Sequence, residues 1–272
     1  MLLQRTLTAL LLAPLVILLI LWSPTTVFAP VVAIAFLAAL WEWTRLSGLK
    51  DYRLRGSLLA AAAAAFVLLW WSRDSVLWPL LMGVGVAWWA VVCLWLRHFA
   101  FGAAPTRENL LIKLGAGALV IVPAWVAVLS LHRGTPYGHW WTFLALAIVW
   151  AADIGAYFSG RLFGKRKLAP TISPGKTWAG VYGAFVAGGL VAGVGGQMLD
   201  VHGARLAGLV LLSALTVVAS VVGDLLESLM KRHASVKDSG RLFPGHGGLL
   251  DRLDSVFAAM PVFAAGKLLL GL

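Results

Sequence analysis

One cysteine, Cys93, occurs in the 272 residues, so no internal disulfide can brace the fold. It lies within an apolar run, where a free thiol packs as a small hydrophobe. Charge is also scarce. Asp, Glu, Lys and Arg together make up 12% of the chain, about half their share in a soluble domain. With 61% hydrophobic residues, a water-soluble fold could not hide its apolar surface. Internal repeats and low-complexity linkers are absent as well, which speaks against a tandem array and against a tethered second domain.

What is present is a series of apolar stretches, each approaching the roughly 20 residues that a helix needs to cross a bilayer core of about 30 Å. The fold class implied is all-α, a polytopic integral membrane protein with about nine spans. These are placed near 7–23, 27–45, 57–72, 76–96, 112–131, 139–160, 177–198, 206–229 and 255–271. The first run imitates a signal peptide, but it leads almost directly into a second apolar run and lacks a convincing small-residue cleavage site, so it reads as a membrane helix. Tryptophans near span ends, such as Trp41, Trp70, Trp71, Trp140 and Trp141, suit interfacial anchoring.

The basic residues set orientation. Alternate connections carry Arg45 to Arg55, Arg97 to Lys113, Arg161 to Lys176 and Lys231 to Arg252. With Arg5 they gather 18 of the 22 Lys and Arg residues on one side, leaving Arg73, Arg133, Arg205 and Lys267 on the other. Positive loops stay cytoplasmic. The N-terminus and the polar loops are therefore predicted to face the cytoplasm from the inner membrane, with the C-terminus outside. The net charge of +11 is spread over short loops beside helices, where it serves topology and attracts anionic membrane lipids, so nucleic acid is not expected as a partner. Polar groups inside spans are few before about residue 110. This suggests a scaffold at 1–110 and a catalytic membrane region at 111–272.

Two segments break the apolar pattern, and ionisable groups at membrane depth each need a reason. In the first, Asp153, Ala156, Tyr157 and Gly160 share a helical face. It is followed by a basic loop and then Ser173-Pro174-Gly175-Lys176-Thr177. This run reads as a turn with a lysine at a helix start, able to cradle a phosphate with backbone N–H groups, the helix dipole and the ammonium. It lacks the glycine spacing of a P-loop. In the second segment, Asp224, Glu227, Ser228 and Lys231 share one face. Asp251 and Asp254 share another on the next helix, and Pro244-Gly245-His246-Gly247-Gly248 lies between. Two acidic helix ends meet across a glycine hinge, surrounded by Lys231, Arg232, Lys237 and Arg252. Hard oxygen donors suit Mg²⁺, and a metal with lysines and arginines suits phosphoryl or nucleotidyl transfer.

These residues resemble the signature of the phosphatidate cytidylyltransferase (CDP-diacylglycerol synthase) family. That signature is a serine, Lys-Arg two residues on, Lys-Asp, a spacer, Pro/Gly-x-His-Gly-Gly and Asp-Arg-x-Asp. Here it reads Ser228, Lys231-Arg232, Lys237-Asp238, Pro244 to Gly248 and Asp251-Arg252-Leu253-Asp254. The resemblance covers roughly residues 150–260 and implies transfer of CMP from CTP to phosphatidate, giving CDP-diacylglycerol and pyrophosphate. By resemblance, Asp224 and Asp251 hold Mg²⁺, with a potassium ion beside it that nothing in these residues indicates. Lys176, Lys231, Arg232, Lys237 and Arg252 become candidates for phosphate contacts. Ser173, Thr177, Ser228, Asp238, His246 and Asp254 become candidates for ligand contacts or orientation, and a homodimer is implied. A CDP-alcohol phosphatidyltransferase would need a DGxxAR-type run, and Asp224 is followed by Leu225-Leu226. A transporter would place polar groups at broken helices near the midplane and often shows repeats. A reporter fused to the C-terminus and active only in the cytoplasm is expected to be silent. A signal from it would overturn the topology.

Overall fold

In the computed structural model the backbone is described for residues 2–240, 242 and 247–272, and side chains from residue 12 onward. The described chain is helical almost throughout: α1 Leu2–Trp22, α2 Thr25–Leu46, α3 Tyr52–Trp71, α4 Leu77–Trp95, α5 Arg107–His132, α6 Gly138–Phe163, α7 Trp178–Met198, α8 Gly203–His233 and α9 Leu250–Leu269. Between α6 and α7 lies one antiparallel pair, β1 Lys167–Ala169 and β2 Ser173–Thr177. Among the described residues, α2 to α8 are long and apolar enough to cross a membrane. Their outward faces carry large apolar side chains such as Ile34, Leu68, Leu80, Phe158, Leu190 and Leu215. A surface this apolar is suited to lipid and not to water. The protein is a multi-pass membrane protein.

Apolar pattern located the helices but drew some ends too short. α5 begins at Arg107, α8 runs on to His233 and α9 begins at Leu250, so Lys231, Arg232, Asp251 and Asp254 all stand on helix. Amphipathic ends carry charge while keeping helical backbone bonds, so hydropathy undercounts them. Caps mark several starts. Asp51 accepts from Arg53 N at 2.7 Å, Thr106 from Asn109 N at 3.3 Å and Thr177 from Gly180 N at 3.1 Å. A cap of this kind contributes about 1 kcal/mol.

Two bundle ends follow from cross-helix contacts. At one, Thr25 bonds His132 and Arg133 pairs with Asp74. At the other, the C-terminal ends of α2, α4, α6 and α8 meet the loops that follow them. There His233 bonds the Phe99 carbonyl, Arg232 bonds the Ile172 carbonyl and Arg45 bonds the Ser239 carbonyl. α5 lies at the centre, with 67% of its apolar stretch buried against 17% for α3.

Close helix approach positions the functional end. α6 and α7 meet through small residues, and a Cβ built on Gly155 would lie 2.5 Å from Gly183 O and 2.7 Å from the Ala187 Cβ. A Cβ on Gly223 of α8 would fall onto the Asp254 carbonyl of α9. Without a hydrophobic driving force between helices in lipid, such backbone proximity is a main source of packing energy. Gly155→Val is expected to cost about 1–3 kcal/mol by overpacking, read as a lower thermal midpoint in detergent. Gly193→Ala, where nothing lies within 4 Å of the added Cβ, is expected to leave the midpoint unchanged.

Candidate active site

The polar end contains two adjoining charge clusters. The outer one joins the β-hairpin to α8. Lys176, on β2, reaches across to Asp224, with Nζ 2.7 Å from Oδ2 and side chains 23% and 33% exposed. The Ser228 hydroxyl, one turn along α8, donates to Asp224 Oδ1 at 3.3 Å. Asp254 of α9 lies within Coulombic range of Asp224, Lys176 and Asp153, and Asp153 of α6 within range of Asp224, Lys176 and Arg252. Three carboxylates from three helices thus share one region with a lysine and an arginine.

The inner cluster is more deeply buried. Lys231 stands between two carboxylates, 2.5 Å from Glu227 Oε2 and 2.7 Å from Asp251 Oδ1. Their side chains are 2% and 8% exposed. A pair 4 Å apart gains about 4 kcal/mol at an effective dielectric of ~20, so Lys231 is held firmly. The Glu227 contact is a close ion pair without hydrogen-bond alignment, and both Glu227 oxygens lack an aligned donor among the described residues. Asp251 Oδ2 accepts from Ser239 N at 2.9 Å, Ser239 Oγ at 2.8 Å and Gly248 N at 2.8 Å. Gly247 takes φ +81°, and a Cβ there would meet Asp251 Oδ2 at 2.6 Å. Glycine is needed at that position for both reasons.

The sequence reading missed Glu42. It sits on α2, inside the stretch assigned to scaffold, and is 8% exposed. Its carboxylate accepts from Leu250 N at 2.8 Å, Leu249 N at 3.1 Å and the Ser239 hydroxyl at 2.8 Å. It therefore caps α9 from another helix and satisfies N–H groups left unpaired at that helix start. The signal was available: an ionisable residue in the predicted span 27–45 demands a partner. Ser239 was missed too, since a lone serine in a loop carries no pattern.

Other expectations changed. Ser173 to Thr177 forms a strand running into a helix cap where a turn was expected. β2 pairs with β1 (Lys167 opposite Thr177, Ala169 opposite Ser173), and the buried Thr177 hydroxyl is engaged by Gly180 N. Alternation along the strand leaves Lys176 directed at Asp224 while Thr177 turns inward. Arg232 donates Nε to the Ile172 carbonyl at 3.1 Å, tying the hairpin to α8. Lys237 and Asp238 are exposed. His246, Pro244 and Gly245 lie outside the described residues.

The donor chemistry suits a hard cation. Among the described residues no group of three or more His, Cys, Asp or Glu side chains forms a metal cage. Mg²⁺ usually takes only one or two carboxylates, with water and substrate phosphate completing its shell. Asp224 is part-exposed, with one oxygen engaged only at 3.3 Å. Asp251 turns Oδ1 toward Lys231 and Oδ2 toward Ser239 and Gly248.

The sequence pattern of the cytidylyltransferase family matches residues 3–269. The chain belongs to this family. It is similar to the phosphatidate cytidylyltransferase of Pseudomonas aeruginosa, 40% identical over 267 residues that cover 97% of this chain and 96% of that protein. It is also similar to the phosphatidate cytidylyltransferase of Haemophilus influenzae, 37% identical over 283 residues covering 97% and 98%. A protein of the same name from Brucella suis is 48% identical over 140 residues, 48% of each chain. A member of this family handles a nucleotide and so must manage several phosphate charges, which the interleaved carboxylates and cations of the two clusters can do.

Glu42→Ala removes the charged acceptor of two backbone N–H groups and leaves them buried. It is expected to destabilise the protein by about 1.5–3 kcal/mol and to lower turnover more than substrate affinity, measured by unfolding and by separating kcat from KM.

Proposed function

We infer that this chain transfers the cytidylyl group of CTP to the phosphate of phosphatidate, releasing pyrophosphate and giving CDP-diacylglycerol. The observation that carries the reading is the Lys176–Asp224 pair, a part-exposed cation and carboxylate at the membrane end of the bundle. Its surroundings are the cationic and anionic groups that two polyanionic reactants require. Near-full-length similarity to phosphatidate cytidylyltransferases supports the choice of substrates.

A phosphate oxygen of phosphatidate attacks the α-phosphorus of CTP, and the bond to the pyrophosphate oxygen breaks with its electron pair leaving on pyrophosphate. The nucleophile is already ionised near neutral pH, so no side chain has to remove a proton. Charge repulsion between the reactants is the principal barrier, and the protein's work is positioning and neutralisation. Lys176 and Lys231 present ammonium groups from the hairpin and α8. Arg232, Lys237 and Arg252 extend the positive field toward the phosphates. Ser173, Ser228, Asp238, His246 and Asp254 are assigned to ligand contact or orientation. Mg²⁺ would be held by Asp224 and Asp251, and when bound it supplies Lewis-acid neutralisation of phosphate oxygens. No residue here is assigned to K⁺.

The site is placed on the cytoplasmic side of the inner membrane, where CTP is available, with the N-terminus inside and the molecule acting as a homodimer. Residues 111–272 supply the reacting groups and 1–110 the frame, with Glu42 as the frame's contribution to the site. Purified protein given labelled CTP and phosphatidate is expected to form CDP-diacylglycerol only with Mg²⁺ present. No product from folded, lipid-supplied protein would refute the assignment. Asp224→Asn is expected to lower kcat by roughly 10²-fold or more with stability retained. Asp251→Asn is expected to lose activity and stability together, because Lys231 Nζ, Ser239 N and Gly248 N converge on that carboxylate.

A further inference from the structure

A polar cavity lies at the same end of the bundle, beside the inner cluster, which it meets at Arg45, whose guanidinium donates to the Ser239 carbonyl. Its volume is about 710 Å³, within the range of ligand-sized pockets, roughly 300–1,000 Å³. It opens between the loop after α2, the start of α3, the loop before α5 and the end of α8. Arg45, Lys50, Arg55, Arg107 and Lys113 line it, with His233, and no Asp or Glu is among its lining residues. Asp224, Glu227, Lys231 and Asp251 do not line it.

Ordinary topology-setting lysines are solvated, and these are not all so. Lys113 is 5% exposed, its ammonium has no carboxylate partner among the described residues, and its charge is felt by His233. Trp43 Nε1 holds the Lys113 carbonyl at 2.8 Å, which fixes the backbone that presents it. The stem of Lys113 is covered by protein, and the residue lines the cavity. His233 donates Nε2–H to the Phe99 carbonyl at 2.7 Å, and its buried Nδ1 has no partner. Arg55, 4% exposed, meets only neutral groups: Thr44 Oγ1 at 3.0 Å, the Trp41 carbonyl at 2.7 Å and the Trp41 ring. A cavity lined by five basic side chains and no carboxylate offers an anion its counter-charges.

We propose that this cavity is a phosphate-binding site separate from the catalytic centre, taking the headgroup of an anionic phospholipid. Basic pockets between membrane helices at the headgroup level recognise such lipids. The cavity lies at the end of the bundle, beside the ends of apolar helices α2 and α8 and the starts of α3 and α5. A free phosphate in solution carries the same chemistry, and the test separates the two sources.

Full-length protein in neutral detergent is titrated with phosphatidylglycerol, with phosphatidylcholine and with inorganic phosphate, and bound ligand is counted by native mass spectrometry. Phosphatidylglycerol is a phosphodiester and does not compete as an acceptor at the catalytic centre. One phosphatidylglycerol per chain is expected to bind in preference to phosphatidylcholine. Lys113→Met and Arg107→Gln are each expected to weaken it about fivefold, the effect of about 1 kcal/mol per basic charge near a membrane surface. Arg107 is exposed, so its replacement reads binding without disturbing the core. Inorganic phosphate binding with the same dependence, and no lipid preference, would support the pocket and assign it to a soluble anion. Equal affinities in wild type and both variants for every ligand would overturn the proposal. Cytidylyl transfer in neutral detergent is expected to persist in both variants, which keeps this test independent of the catalytic assignment.

Discussion

Two buried carboxylates, Glu42 and Asp251, hold the reactive end together. A charge in low-dielectric surroundings is tolerated only when hydrogen-bond donors and counter-charges surround it. Glu42 is met by two N–H groups at the start of α9 and by the Ser239 hydroxyl. Asp251 is met by Lys231, Ser239 and Gly248. The Ser239 hydroxyl lies 2.8 Å from an oxygen of each carboxylate and shares its single proton between them, and Arg45 of α2 donates to its carbonyl. Ser239 ties α2 to α9, and Lys231 ties α8 to α9, so the loop between α8 and α9 is anchored where it meets the described residues.

That anchoring sets the distances on which the outer cluster depends. Gly223 allows α8 to approach the α9 backbone beside Asp254, and the small residues of α6 and α7 bring Asp153 and the hairpin to the same place. Lys176 then bridges from a strand to a helix. The two carboxylates differ in surroundings: Asp251 is ringed by Lys231, Ser239 and Gly248, whereas Asp224 is part-exposed and meets Lys176 and Ser228. A nucleotidyltransferase benefits from such anchoring because its charge-neutralising groups must be held still before the substrates arrive.

Much of this was legible in the residues. Long apolar runs impose helices in lipid, since every backbone group must be satisfied within the segment. The charged stretch from Ser228 to Asp254 stood out for lack of any other reason to be there. Less legible were ends and partners. The start of α9 was placed at 255 because Asp251 and Asp254 lower the local hydropathy, yet the helix begins at Leu250. The Ser173–Thr177 segment read as a turn because proline and glycine dominate its pattern, and strand pairing with Lys167–Ala169 is a contact outside that window.

The sequence alone determined that the protein spans the membrane, which follows from composition and does not depend on how helices pack, and its motif resembles that of the cytidylyltransferases. Only the tertiary structure decided that Glu42, nearly two hundred residues from Ser239 in the chain, caps α9, and that Lys231 stands between Glu227 and Asp251. It also decided that Lys113 and His233 face one cavity without a carboxylate. Electrostatic partnership is settled by distance and burial in space, and neither is encoded in a single local window of residues.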